Sequence, residues 1–142
     1  MTVVYKKILL AYDGSEHSKR AAENAIQIAK CNSESKVEIV YVVDANKAKH
    51  DVLNNWNTMS LEEKRKELLT GVTKTATDEG VEYTIQILQG EAGPSITKYA
   101  NDNDFDLLII GSRGLDGIQG FVLGSVSHKV AKRANCPVMI VK

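Results

Sequence analysis

Glycine is concentrated in one short stretch of this sequence. Five of the ten glycines fall within fourteen residues, at Gly111, Gly114, Gly117, Gly120 and Gly124. The same stretch contains Ser112, Arg113 and Ser125, so backbone amides, a guanidinium group and hydroxyls stand close together along the chain. Backbone that lacks Cβ atoms lets an anion approach the amides, and arginine forms strong paired hydrogen bonds to phosphate oxygens. The pattern predicts a phosphate-binding loop.

Two common nucleotide motifs are absent. The sequence contains no Gly-x-x-x-x-Gly-Lys-Ser/Thr, and no Gly-x-Gly-x-x-Gly follows the first apolar segment. A second candidate is Asp13, which stands between the apolar segment 7–12 and Gly14-Ser15. Its carboxylate could meet a ribose hydroxyl or a phosphate-bound divalent ion, and a turn-forming aspartate that bonds its own backbone is an equally good interpretation.

The histidines are weaker candidates for chemistry. They are His17, His50 and His128, and the sequence does not cluster them. His17 and His128 fall in first turns of predicted helices, where a histidine is more typical of an exposed surface than of a catalytic base. We therefore expect no dedicated catalytic residue.

The elements that position these candidates alternate regularly. Continuous apolar runs predict strands buried on both faces at 7–12, 37–43 and 107–110, and a final apolar strand at 138–141. Alternation over 81–87 predicts a half-buried edge strand. Capping signals and apolar spacing predict helices with N-caps at Ser15, Ser60 and Ser125, and one with Pro94 at its first position. This alternation predicts one α/β domain over 1–142, a doubly wound parallel sheet with helices on both faces.

The edge of such a sheet determines where a ligand binds. In doubly wound sheets, ligands lie beyond the carboxyl ends of the strands, where the strand order reverses. The turn at Asp13 and the glycine-rich stretch would both lie at that edge. If strands one and four are neighbours, the two face one cleft.

The spacing Gly111-x-x-Gly114, followed by nine residues and Gly124-Ser125, resembles the ATP-binding branch of the universal stress protein (UspA) family. The segments GSRG and LGSVSHKVAKRANCPVMIV are similar to the C-terminal block of that family. ILLAYDGSEHS near the start is similar to its opening strand and turn, so the resemblance spans essentially the whole chain. It implies a Rossmann-like five-stranded parallel sheet with the order 3-2-1-4-5.

The resemblance also implies a set of site residues. It places Asp13 at the ribose and phosphate side of ATP, and Val42 at the adenine through its backbone. The residues implied to enclose the triphosphate are Gly111, Arg113, Gly114, Gly124 and Ser125. Mg²⁺ or Mn²⁺ could accompany ATP near Asp13, whereas the protein alone would hold no metal.

The partners are expected to be few. The apolar last strand, Val138–Val141, would lie at a sheet edge with only Lys142 after it, and an open apolar edge invites pairing. The resemblance implies a homodimer through that strand. Eighteen basic side chains balance eighteen acidic ones, which argues against nucleic acid or a membrane as partner. No signal or spanning segment stands out, and the two cysteines are far apart, so we expect a cytoplasmic protein.

The leading hypothesis is a nucleotide-dependent stress-response or regulatory module. One alternative is a slow ATPase, or an enzyme that acts on an adenylated or phosphorylated metabolite. Another is a phosphoacceptor receiver domain, which requires an aspartate after the third strand, where this chain has Gln89-Gly90. The polar segment 44–59 contains Trp56, for which packing on the second helix is favoured over a lid over the site.

Overall fold

A computed structural model describes residues 4–43, 61–113 and 124–142. The strands are β1 Lys7–Ala11, β2 Lys36–Val43, β3 Glu82–Gln89, β4 Leu107–Gly111 and β5 Val138–Val141. The helices are α1 Glu16–Lys30, α2 Leu61–Asp78, α3 Ala92–Asp102 and α4 Ser125–Arg133. All five strands are parallel and form one sheet with the order β3-β2-β1-β4-β5, which confirms the predicted fold class and order. The predictions for Trp56, Ser60 and Gly114 lie outside the described residues.

The sheet separates two apolar layers. Leu10 and Ile109 pack into the layer that contains α1 and α2, whereas Leu9 and Leu108 pack into the layer that contains α3 and α4. All four side chains are fully buried, as the continuous apolar runs predicted. Burial on both faces locks the pairing of β1 with β4, because a one-residue slip would move every side chain to the opposite layer.

The two edge strands differ from this centre. β3 is an edge strand, as its alternation predicted, and Ile85 on it is 39% exposed. β5 is the other edge, and all four of its residues are half-buried. No helix in the described part of the chain combines the length and the apolar character that crossing a bilayer takes.

Helix starts follow the sequence signals in part. Ser15 is the N-cap of α1, as predicted, and its hydroxyl accepts a hydrogen bond from the Ser18 amide at 3.2 Å. The predicted start of α3 at Pro94 was wrong, because the helix begins at Ala92 and Pro94 is its third residue. Proline is tolerated there because amides in the first turn of a helix have no partner within the helix.

The predicted cap of α4 was also wrong. Ser125 is the first residue of the helix, and the N-cap is Gly124. Gly124 is extended, with φ −61° and ψ 154°, and its amide donates to the Ser112 carbonyl at 2.8 Å. Its own carbonyl accepts the first bond of the helix, from the His128 amide at 3.0 Å. The contact between the end of β4 and Gly124 therefore sets where α4 begins.

Candidate functional site

The strand order reverses between β1 and β4, so the segments that follow these two strands share one edge of the sheet. β1 leads into Asp13-Gly14-Ser15, and β4 leads into Ser112-Arg113. A hydrogen bond of 3.0 Å joins Nδ1 of His17, in the first turn of α1, to Oγ of Ser112. The two segments are thus brought together, as the sequence predicted for neighbouring strands.

Asp13 forms the turn between β1 and α1. Its Oδ1 accepts a hydrogen bond from the Ser15 amide at 2.9 Å, and Gly14 has φ +86°, a conformation that favours glycine. The turn-forming interpretation of Asp13 is thus observed, and its role toward a ligand stays a prediction. Burial raises the pKa of neighbouring Tyr12, and the negative charges of Asp13 and Glu16 raise it further.

Ser112 connects four parts of the structure and is only 6% exposed. Its amide donates to the carbonyl of Val141 in β5 at 2.7 Å. Its carbonyl accepts the Gly124 amide at 2.8 Å and the Ser127 hydroxyl at 3.0 Å, and its own hydroxyl pairs with His17. One residue after β4 therefore holds the starts of α1 and α4 and the end of β5.

Sequence reasoning missed two buried serines in this region. Ser18 and Ser127 are each the third residue of their helix, and each hydroxyl lies within hydrogen-bond distance of the carbonyl of the N-cap residue, at 2.9 Å to Ser15 and 3.0 Å to Gly124. The single Ser127 proton is shared between the Gly124 and Ser112 carbonyls. Both serines are at most 3% exposed. The shared spacing Ser15-x-x-Ser18 and Gly124-x-x-Ser127 is the signal that could have identified them. It makes the first turns of α1 and α4 structurally similar.

The two helix starts differ in their N-cap residues. Ser15 caps α1 with its side chain, whereas Gly124 has no side chain that could accept the first amides of α4. Uncapped first-turn amides and the positive end of the helix dipole favour an anion. Arg113, half-buried, follows Ser112 directly. The donors at this end of the sheet suit phosphate oxygens.

The two described glycines of the predicted loop have different surroundings. A Cβ on Gly111 would lie 2.7 Å from Cβ of His17 and 2.8 Å from its carbonyl carbon, so this glycine lets α1 approach β4. That packing role does not depend on a ligand. A Cβ on Gly124 would lie 3.2 Å from the Ser112 carbonyl oxygen, which is tight without being forbidden.

The remaining predicted residues are placed as follows. Ser125 is exposed at the start of α4, and Gly114 lies outside the described residues. Val42 is half-buried near the end of β2, on the side of the sheet that α3 and α4 cover. Both histidines were expected to be exposed in the first turns of their helices. His128 is exposed, whereas His17 is half-buried.

Val42 lies beyond the end of β1. The Tyr12 amide donates to the Val40 carbonyl at 3.0 Å, and the chain then leaves the sheet at Asp13. Backbone groups alternate along a strand, so those of Val42 point to the same side as those of Val40. On that side β1 has already ended.

Metal-binding side chains do not cluster in the described part of this region. Across the ranges 4–43, 61–113 and 124–142, no group of three or more His, Cys, Asp or Glu residues is arranged to hold a metal ion. Cys31 and Cys136 are free thiols, and burial raises the pKa of the Cys136 thiol.

Comparison with known proteins gives one consistent result. The model of the universal stress protein family matches residues 4–142. The chain is 37% identical over 142 residues to Universal stress protein MJ0531 of Methanocaldococcus jannaschii, covering 98% of this chain and 83% of that protein. The solved structure of hypothetical protein MJ0577 superimposes with a TM-score of 0.84 at 31% identity, covering 99% of this chain and 97% of that one. A universal stress protein in complex with cAMP gives a TM-score of 0.71 at 26% identity, covering 99% and 98% of the two chains.

Proposed function

This chain belongs to the universal stress protein family, and from that premise we propose that it binds ATP and acts as a nucleotide-dependent stress-response module. ATP would lie across the edge of the sheet where β1 and β4 end. One observation carries the proposal: the N-cap of α4 is Gly124, which makes no side-chain bond to the first amides of the helix and which Ser112 holds against the end of β4. A solved relative that is a complex with cAMP supports a nucleotide as the ligand class.

The triphosphate is assigned to the α4 side of this edge. There the first amides of α4 and the Arg113 guanidinium supply donors without requiring a basic protein, in keeping with a net charge of zero. Ser125 and Gly114 belong to this proposed set as well. Gly111 contributes by letting α1 pack close to the end of β4.

The adenosine is assigned to the β2 side. The amide and carbonyl of Val42 point past the end of β1 and could form hydrogen bonds with the adenine there. Asp13 follows β1, between the proposed triphosphate and adenine positions, and we assign it to the ribose. A divalent ion would take Asp13 together with phosphate oxygens, since Mg²⁺ commonly uses one or two carboxylates plus the phosphates of its nucleotide.

The ligand is tested by denaturing the purified protein, identifying any released nucleotide by mass spectrometry, and titrating the emptied protein with ATP. Gly124→Val should abolish binding, because the added side chain enters the tight space beside Ser112 and the first turn of α4. Gly71→Ala is the matched control, since nothing lies within 4 Å of a Cβ at Gly71 on α2. Wild-type protein that neither releases nor binds a nucleotide would refute the proposal.

We also propose that the chain forms a homodimer through β5. The carbonyls of Pro137 and Val141 accept hydrogen bonds from Leu108 and Ser112, so odd-numbered carbonyls of this strand face β4. The amides and carbonyls of Val138 and Ile140 therefore point away from the sheet and could pair with a second copy.

A further inference from the structure

We propose that His17 is a positioning residue of the nucleotide site and that it acts through Ser112. Its imidazole holds the Ser112 side chain, and the Ser112 backbone in turn orients the first turn of α4. This inference rests on the proposed nucleotide function and adds to it a residue that lies outside the glycine-rich stretch. No contact between His17 and the nucleotide is required.

The first step is the contact itself. Nδ1 of His17 lies 3.0 Å from Oγ of Ser112, across 95 positions of sequence. Either neutral tautomer can make this bond, because a serine hydroxyl both donates and accepts. His17 is half-buried and Ser112 is buried, so the bond is partly shielded from competing water.

The second step is the packing of α1 on β4, which brings the His17 side chain to Ser112. The His17 backbone and Cβ occupy the space that a side chain at position 111 would need, with approaches of 2.7 to 3.0 Å. α1 therefore lies directly on the end of β4, and the His17 side chain extends from there to the next residue, Ser112. The glycine at position 111 lets α1 approach β4, and the histidine at position 17 uses this approach to reach Ser112.

The third step leads from Ser112 to the donors that would hold phosphate. The Ser112 carbonyl accepts both the Gly124 amide and the Ser127 hydroxyl, and these two bonds fix where α4 starts. If the Ser112 side chain loses its anchor, only backbone bonds and the Ser127 hydroxyl still hold the Ser112 carbonyl, so its orientation and that of the first amides of α4 become less well defined. Because binding depends on that orientation, the loss of the anchor should appear in nucleotide affinity.

The experiment is a double-mutant cycle on ATP affinity, measured by calorimetry, with His17→Ala, Ser112→Ala and the pair. One hydrogen bond corresponds to about a fivefold change in affinity, so each single variant should weaken binding about fivefold. The double variant should also weaken it about fivefold, because both changes remove the same bond, whereas independent effects would multiply to about 25-fold. A multiplied loss would overturn the proposal.

Two further variants separate positioning from general loosening of α1. His17→Asn places an amide near the position of Nδ1, so it should restore affinity to within about twofold of the wild type. Ile26→Val lowers stability by a small cavity in the same helix without touching Ser112, and it should leave the affinity unchanged. If Ile26→Val weakens ATP binding as much as His17→Ala does, the effect is only structural and the proposal fails.

A measurement without nucleotide keeps this inference distinct from the proposed function. Hydrogen exchange of the Gly124 amide should become faster in His17→Ala and Ser112→Ala, and should stay unchanged in His17→Asn and Ile26→Val. If the wild type binds no nucleotide, the proposed function is refuted. Faster exchange of the Gly124 amide in the variants would then still support the contacts from His17 through Ser112 to Gly124. ATP binding that Gly124→Val abolishes and His17→Ala leaves untouched would refute the role of His17 alone.

Discussion

At the residue scale, the meaning of a glycine depends on what surrounds it. Gly111 and Gly124 belong to one sequence pattern, yet Gly111 is required by the close approach of His17 and Gly124 serves as a helix cap without a side chain. The sequence predicted that both glycines matter. Which partner each one meets depends on the docking of α1 on β4, and local spacing does not encode that docking.

Gly111→Ala should lower the free energy of unfolding by about 1–3 kcal/mol, the usual cost of overpacking. The added Cβ meets the His17 backbone, which cannot move without shifting α1. Gly71→Ala is the opposite control, since it adds a better helix former in open space and should raise the free energy of unfolding by about 0.5–1 kcal/mol. Urea denaturation of the nucleotide-free proteins measures both. Equal stability of Gly111→Ala and the wild type would contradict the packing role.

Tyr99 gives a prediction about pH. Its hydroxyl donates to Oε1 of Glu38 at 2.5 Å, and burial, followed by this bond and the Glu38 charge, raises the pKa of Tyr99 to about 12. Because the pKa of Tyr99 is higher in the folded protein, its hydroxyl loses its proton at a lower pH in the unfolded chain than in the folded one. The contribution to stability is therefore complete below about pH 10 and is lost as the pH rises toward about 12.

Tyr99→Phe should cost about 1 kcal/mol near neutral pH, the net value of a hydrogen bond. The difference in unfolding free energy between the wild type and this variant should shrink between about pH 10 and 12, as measured by urea denaturation. Tyr83→Phe is the control, because the Tyr83 hydroxyl has no hydrogen-bond partner in the described ranges. A difference that stays constant with pH would argue against the Tyr99–Glu38 interaction.

At the element scale, sequence signals located most strands and helices and missed details of their ends. The Ser15 cap was found because a capping serine works within three residues of chain. The start of α4 was placed one residue late, because the Gly124 amide is held by Ser112 from another element. Ends that depend on local bonds were predictable, and ends that depend on tertiary bonds were not.

β5 carries the prediction on assembly. Ile140→Pro removes an outward-pointing amide and should convert the proposed dimer to a monomer, since proline cannot donate to a partner strand. Ile140→Ala removes comparable packing and keeps the amide, so it should remain dimeric. Light scattering at micromolar concentration gives the mass of each protein. A monomeric wild type, or a dimeric Ile140→Pro, would contradict pairing through this edge.

At the scale of the whole molecule, the sheet order decides where the site lies. The alternation of strands and helices predicted a doubly wound sheet and left open whether β1 and β4 are neighbours. The resemblance to universal stress proteins supplied the order, and the structure shows it. Since all five strands share one sheet between two apolar layers, we propose that residues 1–142 form one domain.

One domain should unfold in a single cooperative transition. Far-ultraviolet circular dichroism reports the helices, and fluorescence of Trp56, the only tryptophan, reports one local environment. The two urea curves should coincide, and saturating ATP should shift both to higher urea by the same amount, because a ligand that binds only the folded state stabilises it as a whole. Separate midpoints would indicate more than one unit.

The sequence by itself determined the order of elements, the buried centre of the sheet, the Ser15 cap and the position of the glycine-rich stretch after β4. Each of these depends on periodicity or on bonds between residues close in the chain. Only the tertiary structure decided that Ser112 joins α1, α4 and β5, and that His17 fills the space above Gly111. These contacts span up to 95 positions and exist only because β1 and β4 pair side by side, which brings the helices that follow them to one edge.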